Sequence, residues 1–352
     1  MSNYPFKNLV FRGGGILGIA YLGALRVLDS DEYDILKQIK RVSGASAGAI
    51  TALVTSISTS AQEIKNLADS LDFSKVPDKK ADQAGTDHKI AAELLGSAID
   101  DLACIRRLIK QYGWYTSDYF YNWLKDTING QFQKNEKVSA DIKAKKGLQT
   151  FSDFQKAGFR DLYVSVTNIT KHTNEIFSHE TKPEMPVANA VRMSMSIPLY
   201  FESIDYKGDH YADGGTVNNY PMEVFDNKKY VENNKNFFDG VNWETFGCHL
   251  FTPENAGKKE KKDNLVHYIE DLFLTLLKVQ IIEFNKTPNL QKRSAKINDL
   301  GISPVNFDIV ADKGDPMRLP EPKTDYDRLY HSGYNGMMTY LKELKPVKDL
   351  AI

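Results

Sequence analysis

The sequence predicts an α/β fold in which short apolar strands lead directly into apolar helices. Two strand-to-helix units show this pattern, one over residues 7–28 and one over residues 39–54, and a glycine-containing turn joins strand to helix in each. Alternating strands and helices are typical of proteins with a central β-sheet covered by helices. The 352 residues suffice for one large domain with additions or for two domains.

The composition is that of an ordinary globular protein. Hydrophobic residues make up 41% of the chain, charged residues 26%, and the formal net charge is −1, which excludes a general attraction to polymeric nucleic acid. The two cysteines, Cys104 and Cys248, lie far apart and predict a reducing compartment without disulfides. The first residues show no signal peptide, and no stretch has the roughly 18 apolar residues of a membrane span. We therefore expect a cytoplasmic protein whose membrane contact is peripheral.

The first unit runs from a strand at residues 7–11 through a glycine-rich turn into a helix at residues 19–28. The turn contains Gly13, Gly14, Gly15 and Gly18. Consecutive glycines at a helix start can present several backbone N–H groups to an anion. The pattern also satisfies G-x-G-x-x-G of dinucleotide-binding folds, but a second strand ending in an acidic residue is missing at the expected distance. An oxyanion loop fits better, because a candidate nucleophile follows about thirty residues later.

The second unit centres on Ser46, between a strand end at residues 39–42 and an uncharged helix at residues 49–54. Gly44 and Gly48 flank the serine at the G-x-S-x-G spacing of a nucleophile elbow, in which the serine is strained and strand and helix pass closely. The hydroxyl would then lie at a helix N-terminus, which favours the negative charge that develops in acyl transfer. A small-residue helix start packed under a sheet is the alternative interpretation.

Residues 77–146 are expected to form a helical insertion. Residues 77–87 are polar and loop-like, an apolar stripe at helical spacing follows over residues 90–112, and an aromatic-rich helix is predicted at residues 117–128. The stripe fits a helix packed on the sheet, or a lid over an apolar acyl pocket.

Strands return after the insertion. Residues 162–178 predict two paired strands, and residues 201–212 predict a hairpin. Asp213 stands at the exit of this hairpin, directly before Gly214 and Gly215. Acid-glycine-glycine is a common turn, and its two glycines also let another loop approach the carboxylate closely.

The C-terminal part, residues 226–352, is expected to be a helical extension packed on a core at residues 6–225. One further strand is predicted at residues 245–251, and a final helix at residues 324–344. The long apolar helix at residues 265–284 is typical of a core element, with an interfacial or dimer-forming face as the alternative.

Three blocks of this chain together resemble the patatin-like phospholipases. The blocks are Gly13-Gly14-Gly15-x-x-Gly18, Gly44-x-Ser46-x-Gly48 and Asp213-Gly214-Gly215, in this order. Residues 194–198 and 218–221 are similar to two further segments of that family. The resemblance covers roughly residues 6–225 and implies a three-layer α/β fold with a mixed central sheet.

The resemblance also implies a Ser-Asp dyad instead of a Ser-His-Asp triad. Ser46 would be the nucleophile and Asp213 the base, and the loop of Gly13, Gly14 and Gly15 would hold the oxyanion. The expected reaction is hydrolysis of a membrane phospholipid ester through an acyl-serine intermediate, without metal or cofactor.

One position departs from the pattern of the family. Many relatives carry a basic residue where this chain has Leu17, and Arg12 is the basic residue that stands before the glycines here. Some bacterial relatives are effectors that cyclic nucleotides switch on in anti-phage defence. The resemblance therefore implies a cyclic-nucleotide activator, and the extra C-terminal helices offer room for its site or for a homodimer contact.

Two alternative functions stay open at this point. One is a conventional triad esterase that uses His331, the histidine downstream of Asp213 in a suitable setting. The other is a catalytically silent binding protein on the same fold, which the intact Ser46 and Asp213 disfavour.

Overall fold

The computed structural model describes residues 4–78, 97–253, 265–311 and 322–344. Residues 79–96 carry most of the predicted polar loop of the insertion and the beginning of its predicted helix, and they lie outside the described residues. The described residues form an α/β fold with a mixed central sheet and flanking helices, which confirms the predicted fold class.

The elements are named here in chain order. The strands are β1 (Asn8–Phe11), β2 (Arg41–Ala45), β3 (Gly113–Tyr115), β4 (Asp161–Asn168), β5 (Thr173–Phe177), β6 (Leu199–Phe201), β7 (Ile204–Tyr206), β8 (Asp209–Asp213), β9 (Phe237–Phe238), β10 (Val241–Asn242), β11 (Thr245–Phe251) and β12 (Ser294–Asn298). The α-helices are α1 (Ile19–Leu28), α2 (Ala47–Ile57), α3 (Ala61–Asp69), α4 (Ser97–Gln111), α5 (Asp118–Lys134), α6 (Ala140–Lys143), α7 (Phe151–Lys156), α8 (Val187–Ser194), α9 (Leu265–Asn285), α10 (Pro288–Lys292) and α11 (Asp325–Glu343).

The central sheet is parallel on one side and antiparallel on the other. Its strand order is β12-β11-β1-β2-β4-β8-β7, with β5 also paired to β4. The strands from β12 to β4 are parallel, whereas β5, β8 and β7 are antiparallel to their partners. Because Phe11 at the end of β1 pairs with Gly44 near the end of β2, the turns that follow these two strands lie side by side.

Strand β4 carries three partners on its two edges. Strand β5 occupies one edge over residues 164–168. Strand β2 pairs with residues 161–165 and therefore runs along the other edge. Strand β8 pairs with residues 166–168 and continues that edge where β2 ends. The ends of β2 and β8 thus meet on β4.

The residues after 226 supply strands of the sheet as well as helices. Strand β11 confirms the strand expected at residues 245–251. The sequence does not predict β12, because its five residues include no run of consecutive apolar residues. Helix α11 crosses α1 so closely that a Cβ on Gly333 would lie 1.6 Å from the backbone oxygen of Ala20. The C-terminal helix therefore packs directly on the core. The division into 6–225 and 226–352 stays a prediction.

The described part of the insertion contains α4, β3 and α5. Strand β3 pairs with β6, and α5 extends to Lys134, beyond the predicted end at residue 128. In the part of the chain that the structure describes, every helix is too short or too polar to span a bilayer.

Candidate active site

Ser46 lies in the turn between β2 and α2, with φ 52° and ψ −126°. A positive φ is uncommon for a residue with a side chain and costs on the order of 1–3 kcal/mol. An ordinary helix start packed under the sheet would not need this conformation, whereas a nucleophile elbow does. Ser46 is 7% exposed and stands at the N-terminus of α2, where the helix dipole favours negative charge.

The two glycines of the elbow allow three elements to pass in close contact. A Cβ on Gly44 would lie 2.2 Å from the carbonyl oxygen of Gly48, and a Cβ on Gly48 would lie 2.2 Å from that of Phe11. Any side chain at either position would therefore push α2 away from β2 or β1. The G-x-S-x-G spacing reflects this packing.

Asp213 is the last residue of β8 and is fully buried. It pairs with Val166 of β4, and Ala45, the residue before the nucleophile, pairs with the neighbouring Ser165. The sheet therefore brings the Asp213 carboxyl group to the Ser46 hydroxyl, although 167 residues of sequence separate the two positions.

One oxygen of the Asp213 carboxyl group accepts a hydrogen bond, and the other is available to accept a proton. Its Oδ1 accepts from the N–H of Gly215 at 2.6 Å. Among the described residues, Oδ2 has no hydrogen-bond partner of standard geometry, although the Ser46 hydroxyl is near enough to lower the pKa of the carboxyl group. Catalytic hydrogen bonds often reach good geometry only when substrate is bound.

Burial sets the pKa of Asp213. Removal from water raises it to about 7, against the lowering effects of Ser46 and Gly215. A carboxylate whose pKa lies near neutrality is a far better base for a serine hydroxyl than a solvated one, because proton transfer becomes less unfavourable. The site therefore contains a pair with the properties of nucleophile and base.

Ser194, at the end of α8, holds the backbone of the elbow. Its Oγ accepts the N–H of Ser46 at 2.9 Å and donates to the carbonyl oxygen of Ser165 at 2.7 Å. The hydroxyl thus satisfies a buried N–H that the strained turn leaves without a helical acceptor, and it ties the turn to β4. From the sequence alone, residues 194–198 stand out only through their resemblance to the family.

The glycine loop after β1 packs against Ser46, which favours the oxyanion interpretation over a nucleotide site. A Cβ on Gly13 would lie 3.0 Å from the Cβ of Ser46, and Gly15 has a φ of 56°. The N–H of Gly13 is already engaged, donating to the backbone oxygen of Asn219 at 2.9 Å. In the described part of the chain, the N–H groups of Gly14 and Gly15 have no acceptor. These two groups are the available donors for an oxyanion.

Asn219 fixes this loop from the other side. Its side-chain amide donates to the carbonyl oxygen of Gly13 at 3.0 Å, in return for the N–H that Gly13 donates to its backbone. Since that carbonyl belongs to the same peptide unit as the N–H of Gly14, the bond orients and polarises a proposed oxyanion donor. Asn219 follows Asp213 by six residues, so one segment serves both the base and the loop.

Arg12 lies behind the glycine loop. Its guanidinium group is buried, which lowers its pKa, and it donates to the carbonyl oxygens of Gly13 and Leu250 at 3.4 Å each. Leu17 is buried in the core. Arg12 therefore contacts the back of the loop and does not occupy the position of a side-chain oxyanion donor.

The remaining motif glycines lie where elements approach closely. Gly18 packs on α2, where a Cβ would lie 3.3 Å from the Cβ of Ala47. Gly214 packs on β4, where a Cβ would lie 2.2 Å from the carbonyl oxygen of Ser165. Gly215 contributes the N–H that Asp213 accepts.

A narrow apolar cleft opens beside Ser46, and helix α9 covers it. Its empty volume, including the part open to solvent, is about 400 Å³. The cleft is lined by Gly14, Gly15, Ser46, Ile197, Tyr200, Asn219, Glu270, Phe273, Leu274, Leu277, Pro304 and Val305. Gln280 of α9 donates to the carbonyl oxygen of Gly215 at 2.7 Å and accepts the N–H of Asn219 at 2.8 Å. These bonds attach α9 to the segment that follows the base.

The lid considered for the insertion stays a prediction, because residues 79–96 lie outside the described residues. No described residue of the insertion lines the cleft, whereas four residues of α9 do. The sequence predicts α9 as a core helix, with an interfacial or dimer-forming face as the alternative, and gives no sign of a role for Gln280. A signal was available, because α9 carries apolar residues on more than one face, which a helix on the surface of a core does not need.

Histidine takes no part in the contacts of this site among the described residues. Ser46 and Asp213 have no hydrogen bond to a histidine there. His331 lines a separate groove that also contains Lys296 and Arg328. His88 lies outside the described residues. The geometry favours the dyad over the triad with His331.

Comparison with known sequences identifies relatives of this chain. The family model of the patatin-like phospholipases matches residues 9–226. Uncharacterized protein YqhO of Bacillus subtilis (strain 168) is 31% identical over 227 residues, which span 62% of this chain and 67% of that protein. The probable lipid hydrolase 463L of invertebrate iridescent virus 6 is 28% identical over 236 residues, which span 64% of this chain and 66% of that protein.

A solved structure shares the fold. VipD from Legionella pneumophila superposes with a TM-score of 0.52 at 20% sequence identity, over 97% of this chain and 68% of that chain. The match of the family model extends from β1 past the Asp213 turn, and so includes the glycine loop, the elbow and the buried carboxylate. This chain belongs to the patatin-like phospholipase family.

Proposed function

We propose that this protein is a lipid acyl hydrolase of the phospholipase A type, which cleaves carboxylic esters of membrane glycerolipids with a Ser46-Asp213 dyad. The family supports lipid hydrolysis in general. One observation carries the dyad, namely a fully buried carboxyl group with a pKa of about 7 beside a strained serine hydroxyl.

The proposed reaction begins with proton transfer from the Ser46 hydroxyl to Asp213. The serine oxygen attacks the ester carbonyl carbon, and the N–H groups of Gly14 and Gly15 stabilise the negative oxygen of the tetrahedral intermediate. When the ester C–O bond breaks, Asp213 returns the proton to the leaving alcohol. Water then attacks the acyl-serine with Asp213 again as base, which releases the fatty acid and restores the hydroxyl.

The cleft supports a hydrocarbon acyl group as the part of the substrate that is held. Ile197, Phe273 and Leu277 face it with apolar surface, and each methylene transferred from water contributes about 0.8 kcal/mol. A short polar acyl group would leave this surface unfilled.

The decisive experiment measures fatty-acid release from mixed phospholipid vesicles by wild type, Ser46→Ala and Asp213→Asn. We expect both variants to lose about three orders of magnitude or more in turnover, as removal of a nucleophile or its base does in serine proteases. Activity should persist in EDTA, since the proposed mechanism uses no metal. Substantial turnover by Asp213→Asn would refute the dyad.

The two alternative functions have separate tests. His331→Ala should retain turnover close to wild type, and a loss of several orders of magnitude would favour a triad. A fluorophosphonate probe should label Ser46 of the folded protein and fail to label Ser46→Ala. If the folded wild type is not labelled either, the silent binding protein is the better interpretation.

A cyclic-nucleotide activator and a role in anti-phage defence stay predictions from the resemblance. The groove at His331 offers a place for phosphate, because Lys296 and Arg328 line it and bring positive charge. We expect a cyclic di- or trinucleotide to raise lipid hydrolysis, and Lys296→Glu to weaken that effect. Equal turnover of lipid with and without each of a panel of cyclic nucleotides would contradict this prediction.

A further inference from the structure

Helix α9 has apolar side chains on two opposite faces. Its inner face carries Phe273 and Leu277, which line the cleft beside Ser46. Its outer face carries large apolar side chains that are exposed, with exposures from 41% to 67%. These residues, here called the outer stripe, are Leu265, Tyr268, Leu272, Leu276, Val279 and Ile282. They recur every three or four positions, so they form one continuous stripe along the helix.

The outer stripe is free of charge along its centre. The exposed charged residues Asp271 and Lys278 lie about 80–100° away from Val279 around the helix, at the flank of the stripe. Glu283 lies in the last turn, where it is 3.8 Å from Lys286. The stripe covers about 25 Å of helix length. Contiguous exposed apolar surface of this kind marks an interaction site in monomeric proteins.

Two further exposed apolar side chains lie on elements that contact α9 near the cleft. Helix α9 contacts β6 and the turn after Asp213. Leu199 in β6 is 40% exposed, and Val217 after that turn is 47% exposed. Tyr200 of the same β6 lines the cleft. Exposed apolar side chains therefore lie on three elements around the entrance to Ser46.

This arrangement points to one kind of occupant. A lipid bilayer in contact with these three elements would lie next to the cleft beside Ser46 and supply its substrate there. A second copy of the chain on the same surface would obstruct that entrance.

We propose that the outer stripe of α9, with Leu199 and Val217, is the surface by which this protein docks on a lipid bilayer. The proposal rests on the proposed function, because the bilayer is where the substrate resides. Docking places α9, which covers the cleft and is bonded through Gln280 to the segment behind Asp213, directly against the lipid.

The test measures cosedimentation with vesicles of phosphatidylcholine and with equimolar vesicles of phosphatidylcholine and phosphatidylglycerol. All proteins carry Ser46→Ala, so that binding is observed without hydrolysis. The probe variant is Val279→Gln with Ile282→Gln, which changes two exposed side chains. The matched control is Val310→Gln, since Val310 is 76% exposed and lies outside α9. Circular dichroism verifies that all variants are folded.

We expect the double variant to bind vesicles at least about tenfold more weakly, with the control close to the parent protein. When the same substitutions are made in the active protein, which retains Ser46, they should lower turnover on vesicles more than turnover on a soluble short-chain ester. Equal vesicle binding by the parent and the folded double variant would overturn the proposal. A parent dimer that the double variant dissociates, seen by analytical ultracentrifugation without vesicles, would instead assign the stripe to a second copy.

The two proposals fail in different ways. If wild type releases no fatty acid but the double variant loses vesicle binding, docking stands and the proposed reaction fails. If wild type hydrolyses vesicle lipid and the double variant both binds and hydrolyses equally well, the reaction stands and docking on this face fails.

Discussion

Ser46 and Asp213 meet because the strands that precede them end on consecutive residues of β4. Ala45 pairs with Ser165, and Asp213 pairs with Val166. The parallel strand β2 and the antiparallel strand β8 thus share one edge of β4 and point their ends at each other. This end-to-end arrangement explains why the sheet is mixed at the site. A parallel strand in place of β8 would also lie along this edge of β4, but its last residue would be at the far end, away from Ser46.

The buried carboxyl group predicts a pH dependence of catalysis. Asp213 must be ionised to accept the serine proton, and its pKa in the folded protein is about 7. We therefore expect kcat/KM for a soluble ester to rise with pH through about 7 and to level off above it. The measurement is a rate profile from pH 5 to 9 with subtraction of spontaneous hydrolysis. A profile that is already level at pH 5 would contradict the assignment.

The same group predicts a pH dependence of stability. Because burial raises the pKa of Asp213 from 3.8 to about 7, the folded state binds more protons than the unfolded state between these values. The contribution of Asp213 to the free energy of unfolding must then fall as pH rises from about 4 to about 7. Asp213→Asn does not ionise, so the Tm of this variant minus that of wild type should increase over this range. A difference independent of pH would show that the carboxyl group titrates normally.

Ser194 is predicted to be a positioning residue for the nucleophile. Ser194→Ala leaves the buried N–H of Ser46 without its acceptor, at a cost of about 1–3 kcal/mol. We expect a lower Tm and a kcat reduced about tenfold, with KM nearly unchanged, because the hydroxyl orients the elbow and does not touch substrate. Ser196→Ala is the matched control, since the buried Ser196 hydroxyl donates to Arg192 instead. Equal kcat in the two variants would exclude the positioning role.

Asn219 is predicted to position the oxyanion donors. Asn219→Ala removes the bond to the carbonyl oxygen of Gly13, and we expect kcat to fall about ten- to a hundredfold, less than the loss of an oxyanion donor itself. The affinity for a trifluoromethyl ketone, which mimics the tetrahedral intermediate, should fall in parallel. Asn218→Ala is the control, since its side chain contacts Glu223 and Asn174. Unchanged ketone affinity in Asn219→Ala would contradict the role.

Two glycine-to-alanine changes in helices are predicted to have opposite effects on stability, because Gly333 lies at the crossing of α1 and α11 and Gly130 lies in open space. Gly333→Ala places a methyl group against the backbone of α1 and should destabilise the protein by at least about 3 kcal/mol. Gly130→Ala lies in α5 with open space around its Cβ position, and it should stabilise by about 0.5–1 kcal/mol through helix propensity. Urea denaturation measures both. Equal stability of wild type and Gly333→Ala would mean that α11 does not pack on α1 in solution.

The sequence by itself determined the α/β class, the nucleophile elbow at Ser46, the glycine loop after β1 and the glycine turn after Asp213. These features are local, because a strained serine between Gly44 and Gly48 or a glycine with positive φ such as Gly15 requires particular residues at fixed spacing. Asp213 was identifiable as a candidate for the same reason, since its glycines follow it directly. Periodicity likewise predicted the strand at 245–251 and the hairpin before Asp213.

Only the tertiary structure decided what depends on distant contacts. The pKa of Asp213 comes from complete burial, which no neighbour in sequence supplies. The roles of Ser194 and Asn219 depend on bonds to Ser46 and Gly13, far away along the chain. Among the described residues, α9 lines the cleft beside Ser46. The segment of β12 has few apolar residues, and it is a strand because it pairs with the edge of β11. Burial and pairing are properties of the folded chain, and the residue pattern of one segment does not encode its partner.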